Sequence, residues 1–297
     1  MVARTESEAG AVAADAKRLA GWLAGHANVT VITGAGVSTE SGIPDYRDGD
    51  GNWKRSPPVQ YRDFVASDAV RRRYWARSFS GWPLFKAARP SAAHVALARL
   101  ERAGRVARVV TQNVDRLHQR AGSHNAIDLH GRLDVVRCLG CESRTDRDAF
   151  QQRLRAANPG WDTSPARIAP DGDAEVEGVD FGAFVVPVCE VCGGVLKPDV
   201  VFYGESVPRE RADAALDAAT RADGVLVAGS SLMVWSSFRL VRAASQRGIP
   251  VVAVNRGHTR ADDLFAFKCD AECGAVLMAA LDMLHSPGAR RRPGPET

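Results

Sequence analysis

Several things are scarce in this chain of 297 residues, and each absence narrows the reading. Charge of one sign is not in excess: 39 basic residues stand against 35 acidic ones, a net of +4. That balance gives no nucleic-acid-sized field, so no specific nucleic-acid binding is expected. Arg71-Arg-Arg73 and Arg290-Arg-Arg292 are two local basic runs; they read as solvated surface or, more sharply, as contacts for an acidic partner. No apolar run reaches membrane-spanning length, so no membrane association is expected. Six cysteines in a chain of this size do not make a secreted disulfide framework. The start, Met1-Val-Ala-Arg-Thr-Glu-Ser-Glu, lacks an apolar stretch and carries acids, which fits neither a secretory nor a transit signal. The expected location is cytoplasmic. Internal repeats are also missing.

What is present alternates. Asn28–Thr33 and Val106–Thr111 are short β-branched runs, and Gly224–Ala228 and Pro250–Val254 repeat the pattern later. Helical spacing covers residues 11–25, 91–102, 208–222, 235–247 and 274–284, and shorter helices are expected within 48–90. Strands alternating with helices imply an α/β fold with a mostly parallel sheet covered on both faces. Ile127–His130 reads as a brief strand ending on glycine, and Asp115–Arg120 as a short helix.

Cys138-Leu-Gly-Cys141 and Cys189-Glu-Val-Cys192 interrupt that alternation. Two such pairs can give one Zn²⁺ four thiolates, a closed structural site with no position left for chemistry. Residues 142–188 must then form an excursion that returns the second pair to the first. Cys269 and Cys273 are read as buried or loop cysteines, not ligands.

The chemistry must lie elsewhere, and glycine points to it. Gly34-Ala35-Gly36 follows the first strand, where backbone can approach a pyrophosphate and Ser38 or Thr39 can cap a following helix. The third glycine of a dehydrogenase fingerprint is missing, since Thr39 stands there, and no acid lies at the usual interval for a ribose hydroxyl. A hydride-transferring dehydrogenase is therefore a poor fit; a plain tight turn and a dinucleotide site both remain. Gln112, Asn113 and Asp115 follow the second strand, where open α/β sheets bind ligands. An amide and a carboxylate there can hold ribose or orient water, or merely cap a helix. His130, at a third strand end, can accept a proton near neutral pH. His118 reads as structural. Gly229-Ser230-Ser231 and Asn255-Arg256-Gly257 close the next two strands and suit the adenosine half of a dinucleotide, or are ordinary turns.

These runs resemble those of the sirtuins, NAD-dependent protein-lysine deacylases. Gly34-Ala-Gly-Val-Ser38, Gly42-Ile-Pro-Asp-Tyr-Arg47, Thr111-Gln-Asn-Val-Asp-Arg-Leu-His118, His130-Gly131, the cysteine pairs, Lys197-Pro-Asp-Val-Val-Phe-Tyr-Gly-Glu205, Gly229-Ser-Ser-Leu232 and Asn255-Arg-Gly257 stand in family order over residues 15–285. The resemblance implies a Rossmann-type parallel-sheet domain with an inserted small lobe, a zinc ribbon plus a helical module. In residue numbers, the large domain takes 1–47, 91–137 and 198–285, the helical insertion 48–90, the zinc lobe 138–197 and a disordered tail 286–297. It implies NAD⁺ as co-substrate, one structural Zn²⁺, and acylated lysine in proteins or peptides as substrate. The acyl oxygen would attack the nicotinamide ribose, nicotinamide would leave, and His130 would act as base on the ribose hydroxyls. Free lysine and acylated ADP-ribose would follow. Asn113 and Asp115 would hold the ribose and nicotinamide, with Ile43, Asp45 and Tyr46 at the same pocket. Arg47 would reach the phosphates, Gln112 the ribose, and Cys273 the adenine end through its backbone. Tyr46, where the family commonly has Phe, and the long excursion between cysteine pairs resemble the class II branch. Tyr74 and Arg77 share the Tyr-x-x-Arg spacing of members that remove acidic acyl groups, and also fit a plain surface helix face. Protein mono-ADP-ribosylation from the same NAD site, or an idle NAD- and zinc-binding scaffold, are the alternatives.

Overall fold

The computed structural model describes residues 2–46, 54, 58–161, 172, 174 and 179–285. Arg47, most of the acidic stretch 171–180 and the expected tail from 286 lie outside the described residues.

The chain runs α1 (Val2–Gly25), β1 (Val29–Thr33), α2 (Tyr61–Ala66), α3 (Asp68–Ala87), α4 (Ala92–Arg102), β2 (Val106–Thr111), α5 (Leu117–Arg120) and β3 (Ala126–Asp128). It continues through β4 (Gly131–Cys138), β5 (Arg144–Asp146), α6 (Arg147–Ala157), β6 (Leu196–Val200), α7 (Arg209–Thr220) and β7 (Gly224–Ala228). Then come α8 (Trp235–Gln246), β8 (Val251–Val254), β9 (Phe267–Cys269) and α9 (Cys273–His285).

The large sheet has the order β3-β2-β1-β7-β8-β9, and every neighbouring pair is parallel. All residues of β1, β7 and β8 are buried, which is why these strands read as unbroken apolar runs. The period of two divides them between faces. Val29 and Val31 meet Leu19 and Leu23 of α1, Leu97 of α4 and Leu277 of α9. Ile32 belongs to the opposite core, with Ala215 of α7 and Leu240 of α8. Helix α4 begins as expected at Ser91, whose hydroxyl accepts from the His94 backbone while His94 Nδ1 accepts from the Ser91 N–H.

The small lobe is built differently. Its sheet is antiparallel, β5-β4-β6, and begins at Gly131 and ends at Val200, wider than the 138–197 read from the cysteines. The excursion folds into β5, α6 and a turn of 3-10 helix at Phe181–Ala183. The core is aromatic: Phe64, Tyr74, Trp75, Phe79, Phe150 and Phe184 are among its buried rings. Several short helices were expected before residue 90, yet α3 is one helix of 20 residues with Pro83 inside it. Proline removes the hydrogen bond that would reach the Phe79 carbonyl. Gln151 of α6 supplies the substitute, its Nε2 donating to Phe79 O at 2.8 Å. Arg147, fully buried, donates to the neighbouring Ser78 carbonyl at 3.2 Å and lies 5.0 Å from the Trp82 ring centre. The proline is thus tolerated because another helix satisfies the backbone it frees.

Candidate active site

A cleft of about 560 Å³ opens at the carboxyl ends of β1, β2, β3, β7 and β8, against the end of β6 in the small lobe. Strand β1 has β2 on one side and β7 on the other, so the cleft sits where strand order reverses.

Gly34, Ala35 and Gly36 line it, but the chain behind them differs from expectation. Two 3-10 turns, Ala35–Val37 and Thr39–Ser41, replace the capped α-helix. The glycines serve an approach between loops. A Cβ on Gly36 would lie 2.8 Å from the Gly229 Cα, and the Gly36 N–H donates to Gly229 O at 2.9 Å. Gly229 has φ 58°, and a Cβ there would meet the Val37 nitrogen at 2.5 Å. The loops after β1 and β7 therefore fit together only without side chains at these positions.

Ser38 does not cap. Its hydroxyl donates to Asp115 Oδ2 at 2.8 Å and accepts from Asn113 Nδ2 at 3.0 Å. Asn113 Nδ2 also reaches Gly34 O at 3.0 Å, and Asp115 Oδ1 accepts the Leu117 N–H at 2.9 Å. One network thus ties the ends of β1 and β2 together. Burial pushes the Asp115 carboxyl up, opposed by its bonds from Leu117 and Ser38. Gln112 Nε2 donates to Ser230 Oγ at 2.7 Å, joining β2 to β7. Ile43, Asp45 and Tyr46 line the same cleft, as do Ser231, Asn255 and Arg256. Lys54 holds Asp45 in an ion pair of 2.5 Å.

His130 lines the cleft as well. Its Nε2 lies 2.7 Å from Ser236 Oγ. Burial pushes the imidazole down to about 4, opposed by a hydrogen bond to the Gln112 backbone. The ring is therefore neutral at pH 7 and can accept a proton, but it is a weaker base than an exposed histidine, not one poised near neutrality. His118 is structural: buried, it bonds Thr33 Oγ1 at 2.9 Å.

Some expected residues stand apart. Gly257 and Cys273 are not among the cleft's lining; Cys273 is buried with Sγ 3.1 Å from Val254 O. Tyr74 and Arg77 are not at the cleft either. Tyr74 is 2% exposed and packs edge-on against Phe64 and Phe202, while Arg77 Nε donates to Ala174 O at 2.9 Å. Tyr74 thus lies in the aromatic core directly behind the cleft-lining Phe202, and Arg77 is half-buried beside Ala174.

Sequence reasoning missed the wall contributed by residues 200–207 and 232–236. Phe202 and Tyr203 face the cleft because their loop is clamped from behind. Glu205 Oε2 accepts the Phe202 N–H at 2.9 Å and pairs with Lys197 Nζ at 3.0 Å. Lys197, 1% exposed, also donates to the Val200 carbonyl. A lysine and an aspartate within the short, fully buried strand Leu196–Val200 were the available signal.

The four cysteines come together in the small lobe, with every Sγ within 4.8 Å of the others. Cys138 and Cys192 Sγ are 3.5 Å apart, Cys141 and Cys189 Sγ 3.7 Å. A tetrahedral Zn²⁺ at its usual bond length to sulfur needs sulfurs roughly 3.8 Å apart, so the set fits. The Ser143 hydroxyl and the backbone at Cys192 and Val191 hold the Cys189 thiol down to about 6. Against a bond from the Gly194 backbone, the neighbouring Cys141 and Cys138 push Cys192 up to about 12, so the set shares its protons unevenly until a metal displaces them.

The Sir2 family model matches residues 34–236. The chain is 57% identical over 256 residues to "NAD-dependent protein deacetylase 2" of Bradyrhizobium diazoefficiens, covering 86% of this chain and 94% of that one. It is 51% identical over 275 residues to "NAD-dependent protein deacylase Sirt4" of Drosophila melanogaster, covering 92% and 88%. A solved structure described as "Sir2-p53 peptide-NAD+" superposes with a TM-score of 0.72 at 29% identity, covering 92% of this chain and 98% of that one. The chain belongs to the Sir2 family, the sirtuins. It is a sirtuin-type enzyme that uses NAD⁺ and carries the cysteine set for one structural Zn²⁺.

Proposed function

We propose that this protein removes acyl groups from lysine side chains in proteins and peptides, consuming NAD⁺ as co-substrate, with His130 as the base. One observation carries the assignment of residues. His130, Asn113, Asp115 and the Gly34–Gly36 turn, drawn from three strand ends, line one cleft. Asn113 and Asp115, locked by Ser38, present an amide and a carboxylate to the nicotinamide ribose. Ser230, Ser231, Asn255 and Arg256 take the adenosine side. Val200–Tyr203 form the apolar wall along which an acylated side chain enters, and they exclude water from the reacting centre. His130, neutral at pH 7, takes a proton from a ribose hydroxyl so that the oxygen can receive the acyl group. The metal in the small lobe has four protein ligands and therefore holds structure instead of reacting.

Tyr46 and the long excursion between the cysteine pairs support placement in the class II branch. With Tyr74 buried behind Phe202 and the half-buried Arg77 bonded to Ala174 O, neither side chain lines the cleft, and the motif adds no support for an acidic acyl preference. Thiolate-bound zinc suits a reducing compartment, the cytoplasm of a bacterial cell for example. No helix among the described residues is long and apolar enough to cross a membrane.

Acyl-peptide with NAD⁺ should yield nicotinamide and acylated ADP-ribose. His130→Ala should lower turnover ~10²–10⁴-fold, the usual worth of a general base, with the melting temperature retained. Turnover equal to the parent's would remove His130 from this role. Label from NAD⁺ fixed on protein, with none in acylated ADP-ribose, would favour ADP-ribosyl transfer instead.

A further inference from the structure

The hydroxyl bonded to the base belongs to no motif discussed above. Ser236 sits in the first turn of α8, next to the half-exposed Trp235, and its side chain enters the cleft. Its Oγ lies 2.7 Å from His130 Nε2. A neutral imidazole has one protonated nitrogen and one with a lone pair, and Nε2 is the nitrogen beside Ser236 at the cleft, so the ring acts as a base there only with its lone pair at Nε2. In that base-competent tautomer Nδ1 carries the proton and Nε2 carries the lone pair. A neutral Nε2 can only accept, so the Ser236 O–H donates to it. The one lone pair through which His130 can act as a base is already occupied by a serine proton.

A ribose hydroxyl has two routes to that lone pair. It can displace Ser236, which strands a serine donor in a partly buried site and costs about one hydrogen bond. Alternatively it can donate to Ser236 Oγ, which keeps every partner in place. A serine hydroxyl both accepts and donates, so passing a proton through it leaves its charge unchanged.

We propose that Ser236 relays the proton from the co-substrate's ribose hydroxyl to His130. The inference rests on the deacylase reading given above. In the step, the ribose O–H bond breaks and its proton forms a new O–H bond at Ser236 Oγ. The original Ser236 O–H bond breaks at the same time, and that proton forms the N–H bond at Nε2 with the imidazole lone pair. The ribose oxygen retains the electron pair with which it attacks the acyl carbon. The relay serves only the steps after nicotinamide has left. Binding of NAD⁺ and release of nicotinamide do not use it.

The test compares Ser236→Ala and Ser236→Thr with the parent protein. Ser236→Ala should lower the rate of acylated ADP-ribose formation by about tenfold or more, within the range of proton-transfer catalysis. Exchange of labelled nicotinamide into NAD⁺ in the presence of acyl-peptide should stay within about twofold, since that exchange precedes the base's step. Ser236→Thr keeps a hydroxyl and should restore most of the product rate. A second readout needs no turnover: in ¹⁵N-edited spectra of the ligand-free protein, the His130 Nε2 resonance should move toward that of an unbonded nitrogen in Ser236→Ala and stay in Ser236→Thr. Product formation by Ser236→Ala at the parent's rate, or equal losses in both variants, overturns the relay. A parent protein that exchanges no nicotinamide with any acyl-peptide overturns the deacylase reading instead, so the two failures are distinguishable.

Discussion

The two halves of this molecule are stabilised by different means. The large domain buries valine, leucine and alanine on both faces of a parallel sheet, and regular packing accounts for it. The small lobe has a three-stranded antiparallel sheet, an aromatic core and two buried cations, Arg147 and Lys197. It is joined by four thiols drawn from either end of the excursion. A core that small gains little from aliphatic burial alone, which is where metals serve as staples. The cleft lies between the halves: the large domain supplies His130 and the loops after β1, β2, β7 and β8, and the last strand of the small lobe leads into the Val200–Tyr203 wall. On the deacylase reading proposed above, chemistry is anchored on the regular half and the acyl wall on the stapled half.

Removing the metal should separate the halves most sharply. Chelation should abolish amide protection in β4, β5 and β6 while β1, β2 and β7 keep theirs, because only the small lobe's folding is linked to metal. Hydrogen exchange followed by segment measures this. Uniform loss across both sheets would mean that the halves fold as one unit and that the contrast is false.

The next effect concerns the clamp under the acyl wall. Lys197→Met leaves Glu205 with only the more distant Arg137 at 4.0 Å, and removing one member of a buried pair costs up to about 3–5 kcal/mol. Urea unfolding should show that loss, and KM for peptide should rise more than KM for NAD⁺, since Phe202 and Tyr203 lose their support. Equal changes in both constants would show that the loop does not face the acyl substrate.

The smallest effect comes from acid and should begin in the large domain. Burial lowers His94 to about 4 and sends His118 well below its ordinary value, with the His94 charge as a lesser cause for the latter. Both imidazoles are neutral in the fold, while the unfolded chain takes up protons below about 6.5. Their contribution is complete above that pH and is lost as pH falls toward 4, about 2 kcal/mol for His94 alone by pH 5. Melting temperature should drop between pH 7.5 and 5, with α4 and α5 losing amide protection first. A melting temperature unchanged over that interval would argue that these histidines are charged in the fold.

Legibility followed the same division. Strands β1, β2, β7 and β8 and helices α4, α7, α8 and α9 were readable within a residue or two, because each carries its own periodicity. Strand β9 is three residues and carries too short a pattern to announce itself. In the small lobe, α3 was read as pieces because Pro83 breaks helices in isolation; Gln151 and Arg147, distant in sequence, undo that rule. Tyr74 and Arg77 had the spacing of a substrate clamp, yet spacing does not say which way a helix is rotated. Ser38 likewise looked like a cap until Asp115 arrived from another strand.

The order of strands and helices, the places of the glycine turns and the paired thiols belong to the sequence alone, since each is fixed by neighbours along the chain, whereas the reason Gly36 and Gly229 must lack side chains is their tertiary approach. Which groups would share the cleft was also implied, because loops at the carboxyl ends of parallel strands converge. Tertiary structure alone decided how basic His130 is, which hydroxyl lies against its Nε2 and which face of α3 is hidden. Those properties depend on burial and on partners far away in sequence, and no local pattern encodes the distance between residues 130 and 236.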